Sequence, residues 1–150
     1  MPRTESRSAW RAYEVTRDYA SDTKLPDGRR LIDEEWVQTN LARVHAGLEF
    51  LRLINWKVAW SSTQGTLSPA DASATKVFGT EFYLDAFQLL MEVMGPRGYL
   101  TRGSEQAVAA GLLETLYRGL MILTFGGGVN EVQRDLIGLF GLGLPRIPRH

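Results

Sequence analysis

Cysteine is missing altogether from these 150 residues. That absence removes a disulfide framework, a thiolate metal site and a cysteine nucleophile together, and it fits a reducing, intracellular setting. Histidine is scarce as well: only His45 and His150 are present, and the second is the last residue. No His-x-x-Glu or Glu-x-x-His pair occurs, which excludes the di-iron bundle pattern of inward carboxylates and histidines, so no metal site is expected. His45, beside an apolar stripe, reads as a partly buried packing residue. There is no surplus of charge, with 17 Lys plus Arg against 17 Asp plus Glu, so neither nucleic acid nor an anionic membrane is indicated as a partner. No uninterrupted apolar run approaches the roughly 18 residues of a membrane span, and the start MPRTESRSAWR lacks the apolar core of a leader. The expected protein is soluble, unexported and cytoplasmic.

Strand signals are also lacking. No segment shows convincing period-two alternation, a hairpin dipeptide between apolar runs or a repeat at fixed spacing. Nucleophile-elbow, Walker-loop and dinucleotide fingerprints are absent, and the Gly126-Gly127-Gly128 run follows a predicted helix rather than a strand.

What is present is helical periodicity. A hydrophobic content of 44% with 23% charged residues is that of an ordinary globular protein, and the length suits one domain over residues 1–150. Residues 6–20 place Ala9, Tyr13, Thr16 and Ala20 on one stripe, a first, shorter helix. Pro26, Asp27 and Gly28 then mark a turn. From Asp33 to about Ser62, Val37, Leu41, Val44, Leu48, Leu51, Asn55 and Val58 recur in steps of four and three. This is a long helix with Asp33 as its N-cap. Leu53, Ile54, Trp56 and Trp60 widen its apolar surface, so burial on more than one side is expected, by its own bundle and by another subunit. Trp36, Trp56 and Trp60 are spaced like packing aromatics.

Ser68-Pro69-Ala70-Asp71 gives a hydroxyl cap, proline at the first helical position and an acid three residues on. The third helix runs to about Met94, with Ala74, Val77, Phe78, Phe82, Ala86, Leu89, Leu90 and Val93 inward, and Gly95-Pro96 stops it. Its carboxylates Glu81, Asp85 and Glu92 read as a solvated face. A fourth helix is expected from Ser104 to about Leu123 on Val108, Leu112, Leu116 and Leu120, and a fifth from Asn130 to Leu142. The fold class is all-α: an up-and-down helical bundle of four main helices plus a shorter N-terminal one, with 145–150 as a frayed tail. Between the last two helices, the loop Phe125 to Val129 suits an anionic ligand at a helix start, or is a plain glycine connector; composition leaves both open.

The run Phe125-Gly126-Gly127-Gly128-Val129-Asn130-Glu131-Val132-Gln133-Arg134-Asp135 resembles the final loop-to-helix signature of the acyl-CoA dehydrogenase family. Leu142-Gly143-Leu144-Pro145 matches a common family ending. Asn55 to Trp60, the Ser73 to Phe78 stretch and the Met94 to Leu100 turn fall in the order the family uses. The chain resembles the family's C-terminal helical domain, in the subgroup with FGGG in this loop. The resemblance implies flavin adenine dinucleotide (FAD) as cofactor and an acyl-CoA thioester as substrate, with the flavin lying partly across a subunit interface. It implies that Gly127, Gly128 and Glu131 approach the cofactor, that Glu92, Gly95 and Pro96 face its phosphate or adenosine portion, and that Lys24 stands in for a family arginine.

The departures carry as much information. Many members place the catalytic glutamate where this chain has Gly127, so no catalytic residue is expected here. Val129 replaces a frequent threonine, Asp27 an aromatic, and Glu92 a common glutamine. Other members take the base from the preceding helix, at a position expected before Met1. The family's amino-terminal helical domain and middle β-domain have no counterpart in the 150 residues. The expectation is a fragment or split subunit that completes a flavin site, as a homo-oligomer or with a partner chain carrying the missing domains, and is inactive alone. The alternative is a family-derived, non-catalytic assembly module.

Overall fold

The apolar stripes close on one another as a helical bundle. The computed structural model describes residues 2–146, with side chains from Arg7 onward. Among these residues there are five α-helices and no strand: α1 Pro2–Asp22, α2 Glu35–Thr63, α3 Pro69–Met94, α4 Leu112–Leu120 and α5 Asn130–Gly141. No helix is long and apolar enough to cross a membrane. Of the expected loose tail, only exposed Pro145 and Arg146 fall among the described residues.

α1 buries Ala9, Ala12, Thr16 and Ala20. Thr16 is tolerated in the core because its hydroxyl donates to the Ala12 carbonyl at 2.8 Å, so no polar group is left unpaired. α2 presents Val37, Leu41, Val44, Leu48 and Leu51, each 5% exposed or less. It runs antiparallel to α3, as the pairs Asn40 with Glu92, Leu51 with Gly79, and Lys57 with Asp71 show. α3 begins as its sequence predicts: Ser68 accepts the Ala70 amide at 3.2 Å and Pro69 opens the first turn. The Asp71 carboxylate takes Lys57 rather than returning to the cap.

Several expectations change. α1 spans 21 residues, and the short helix is α4, with 9. The run from 104 to 111 does not join α4, because Ala109, Ala110 and Gly111 all have positive φ. A Cβ on Gly111 would press on the backbone of residues 100–102, so this segment is wound against the preceding loop. After Leu120 the chain tightens into a 3-10 turn, Met121–Thr124. Asp33 does not cap α2. Its carboxylate binds the Arg30 guanidinium at 2.8 Å, and Glu34 occupies the cap position without a side-chain bond. Ala74, expected inward, is exposed, and Phe78, Phe82 and Leu89 are half-buried, because α3 turns Phe87, Met91 and Met94 inward beside the expected Leu90. His45 is exposed and lies against the rings of Trp10 and Tyr13 at 5.4 and 5.6 Å. Trp36, Trp56 and Trp60 stay outside the core, 43%, 61% and 65% exposed on α2, with the Arg52 guanidinium over the Trp56 ring.

Two predictions follow from this packing. A Cβ on Gly47 would overlap the ring of Phe82, which is stacked on Phe78, whereas one on Gly79 would meet only a Leu51 methyl at 3.3 Å. Alanine gains roughly 1 kcal/mol over glycine in a helix interior, and overpacking costs about 1–3 kcal/mol. Gly47→Ala should therefore lower the urea midpoint and Gly79→Ala leave it level or raised; equal midpoints would sink this account. In the turn before α2, hydrogen bonds from Arg29 and Arg30 hold Asp27 and Asp33 below the ordinary value of 3.8. A lowered folded-state value means that the stabilisation is present in full at neutral pH and lost as pH falls through it. NMR titration of the two carboxyls should give midpoints below 3.8, with residues 23–34 loosening only there; midpoints at or above 3.8 would refute the pairing.

Candidate functional site

α5 is fastened to the middle of α3 by a polar chain that begins with Asn130, the first residue of the helix. Asn130 is 5% exposed. Its carbonyl oxygen accepts from Lys76 Nζ at 2.5 Å, and its amide donates to Thr80 Oγ1 and Glu81 Oε1, both at 3.1 Å. Thr80 has one proton, which goes to the Lys76 carbonyl at 3.0 Å, so its oxygen is free to accept. Arg134 closes the chain with two contacts of 2.8 Å to the Glu81 carboxylate. Glu81 is therefore a partner of α5 and not simply a solvated acid.

The glycine loop stands directly above this fastening. The Phe125 and Gly126 amides fold back onto the Ile122 carbonyl at 3.1 and 2.9 Å. Gly127 and Gly128 follow with φ of 73° and 97°, a backbone that side chains disfavour. Nothing lies within 4 Å of where a Gly127 side chain would begin, whereas Gly128 is backed by the amide of Gln133. Gln133 also donates to the Gly127 carbonyl at 3.2 Å. The amides of Gly127 and Gly128 have no acceptor among the described residues. Glu131 is exposed in the first turn of α5, and Met121, Ile122 and Phe125 beside the loop are 53%, 70% and 71% exposed.

The remaining expected site residues lie elsewhere. Glu92 sits at the far end of α3, about 16 Å along the helix from Glu81 at 1.5 Å per residue, and accepts from Asn40 at 2.9 Å. Gly95 and Pro96 follow in the turn Gly95–Tyr99. Lys24 belongs to the turn before α2, in a backbone bridge with Arg30. An open groove of 790 Å³ reaches Glu92 and is lined by Arg43, Asp85, Gln88, Tyr99 and Tyr117 among others. The chain thus brings Gly127, Gly128 and Glu131 together and keeps Glu92, Gly95 and Pro96 apart from them.

Sequence reasoning missed the roles of Lys76, Thr80 and Asn40. Their signal was a spacing: Lys76 and Thr80 share a face of α3, and Asn130 and Arg134 share a face of α5. Among the described residues no group of three His, Asp or Glu side chains could hold a metal ion.

Comparisons with known proteins agree on what this arrangement is. A profile of the acyl-CoA dehydrogenase C-terminal domain matches residues 5–141. The chain is 56% identical over 137 residues to acyl-CoA dehydrogenase FadE26 of Mycobacterium tuberculosis, covering 89% of this chain and 34% of that protein. It is 39% identical over 118 residues to FadE29 of the same organism, covering 79% and 30%. It therefore spans about a third of the length of the curated relatives it matches. Among solved structures, a chain of the ChsE4-ChsE5 complex from Mycobacterium tuberculosis superimposes with a TM-score of 0.89 at 53% identity, over 95% of this chain and 37% of that one. A steroid ACAD, Tcur3481-Tcur3483, does so with 0.84 at 40% identity, over 93% and 35%. With the whole bundle and the order of its motifs in register with these relatives, the chain belongs to the acyl-CoA dehydrogenase family and corresponds to its C-terminal helical domain.

Proposed function

We propose that this domain completes the flavin site and the subunit interface of a FAD-dependent acyl-CoA dehydrogenase, which removes hydrogen across the alpha and beta carbons of an acyl-CoA thioester. The observation that carries the reading is the glycine loop, held at its base yet open on its outer side. A flat ring system can approach Gly127 without meeting a side chain, and two backbone amides are available to it. Gly127, Gly128 and Glu131 are accordingly assigned to the cofactor. The far end of α3 fits a phosphate less well, because Asp85 and Glu92 outnumber Arg43 in the groove. A contact there from Glu92, Gly95, Pro96 or Lys24 rests on backbone and on Lys24 alone.

When bound, FAD supplies the acceptor for the hydride that leaves the beta carbon. The residues of this chain hold the loop and present its backbone. Gly127, where the resemblance places the base, has no side chain to take the proton. That proton goes to a carboxylate elsewhere in the assembly.

Exposed apolar surface supports an assembly. Phe50, Leu53, Trp56 and Trp60 on α2 are between 49% and 65% exposed, and such a patch on a domain of this size marks a contact surface. The ChsE4-ChsE5 relative is a complex of two named components. That favours assembly with a second, different chain over a homo-oligomer. The relative described as a steroid ACAD favours a steroid-bearing acyl-CoA as the substrate class. A cytoplasmic location belongs to the same proposal, supported by the absence of cysteine. The second reading, a non-catalytic assembly module, is favoured by the missing carboxylate at Gly127.

Co-expression with a chain carrying the amino-terminal helical and middle β-domains discriminates between the readings. The expected product is a yellow complex that oxidises acyl-CoA with an artificial electron acceptor, while the isolated chain is colourless and inactive. Gly127→Val should lower FAD occupancy of the complex by about tenfold, the scale of a branched residue strained at positive φ. A complex that assembles without flavin would favour the module instead. An isolated chain that purifies with oxidised flavin would show that the other domains are not required.

A further inference from the structure

We infer that Lys76 is the positioning residue of the glycine loop. The inference rests on the preceding reading for its purpose, but its geometry stands by itself. Residues 126–128 carry no side chains, so the loop has little stiffness of its own and depends on bonds from its surroundings, Gln133 to the Gly127 carbonyl among them. Both ends meet on one cation. Lys76 Nζ donates to the carbonyl of Thr124, the residue before Phe125, at 3.4 Å, and to the side-chain carbonyl of Asn130, the first residue of α5, at 2.5 Å.

A lysine suits this task because its compact ammonium carries three rotatable donors, and two acceptors from different chain segments can share it. The orientation of Asn130 is fixed by charge. Its carbonyl faces the Lys76 ammonium, and its amide faces the Glu81 carboxylate, which Arg134 holds in place. Reversing the amide would set donors against the cation and an oxygen against the anion. Asn130 is also buried, so water does not compete for these bonds. The loop geometry is therefore set before any ligand arrives, and a ligand that needs this geometry meets a smaller ordering cost.

The test is Lys76→Met, which keeps the length of the stem and removes every donor, beside Val44→Ala, which loosens the distant core of α2. Backbone order parameters of Gly126, Gly127 and Gly128 in the 150-residue chain should lie near 0.85 in the native protein and in Val44→Ala. In Lys76→Met they should fall below about 0.6, the flexible range. Order parameters unchanged in Lys76→Met, or lowered equally in Val44→Ala, overturn the assignment. In the co-expressed complex, Lys76→Met should weaken FAD binding by about tenfold, the loss expected from an unclamped loop, with Val44→Ala unaffected; equal affinities overturn the functional half. If the native complex takes up no FAD, the proposed function falls, and the order parameters still decide the role of Lys76.

Discussion

All four other helices rest on α3, and the crowding around that one helix is the constraint from which the remaining features follow. A helix flanked on every side must be apolar around most of its girth, and α3 turns Phe87, Leu90, Met91 and Met94 into the core while Val77 and Tyr83 are also buried. Several polar groups on this helix are matched to a neighbour rather than left to water. Lys76, Thr80 and Glu81 take α5, and Glu92 takes α2. These matches also act as register marks, since each fixes how far along α3 a neighbouring helix lies.

How much of this was legible depended on whether the signal was local. The stripe from Val37 to Leu51 and the Ser68-Pro69 start depend on spacing and capping within one segment, and both were readable. The fourth helix was not, because Val108 and Leu112 keep the helical period while Gly111 turns the chain out of it. The glycine inside that run was the overlooked mark. The tryptophans of α2 misled for a different reason: a period shows that residues share a face, but not whether the chain itself covers that face. The Lys76 to Arg134 chain joins α3 to α5 across some fifty positions, and no spacing rule within one helix reaches so far.

The candidate site was legible in part. The run from Phe125 to Asp135 marks the family, and the bare Gly127 is the departure on which the proposed absence of a base rests. The sequence does not reveal that Glu92, at the far end of α3, lies apart from Gly127, in the loop before α5. A carboxylate in the groove, an open glycine loop and an uncovered aromatic face lie on different parts of the domain. On the proposed reading, the domain contributes shape and backbone to a site whose reactive groups come from elsewhere.

α5 rests chiefly on α3, whereas α1, α2 and α4 share contacts among themselves. A helix held by a single neighbour can open without parting any other pair of helices, so the strength of that one pairing decides the opening. The glycine loop travels with it. A ligand that bridges the loop to another body would close that opening and tighten the whole carboxy-terminal segment. Cofactor capture would then coincide with the last step of folding, and loss of the ligand would register first as fraying of α5.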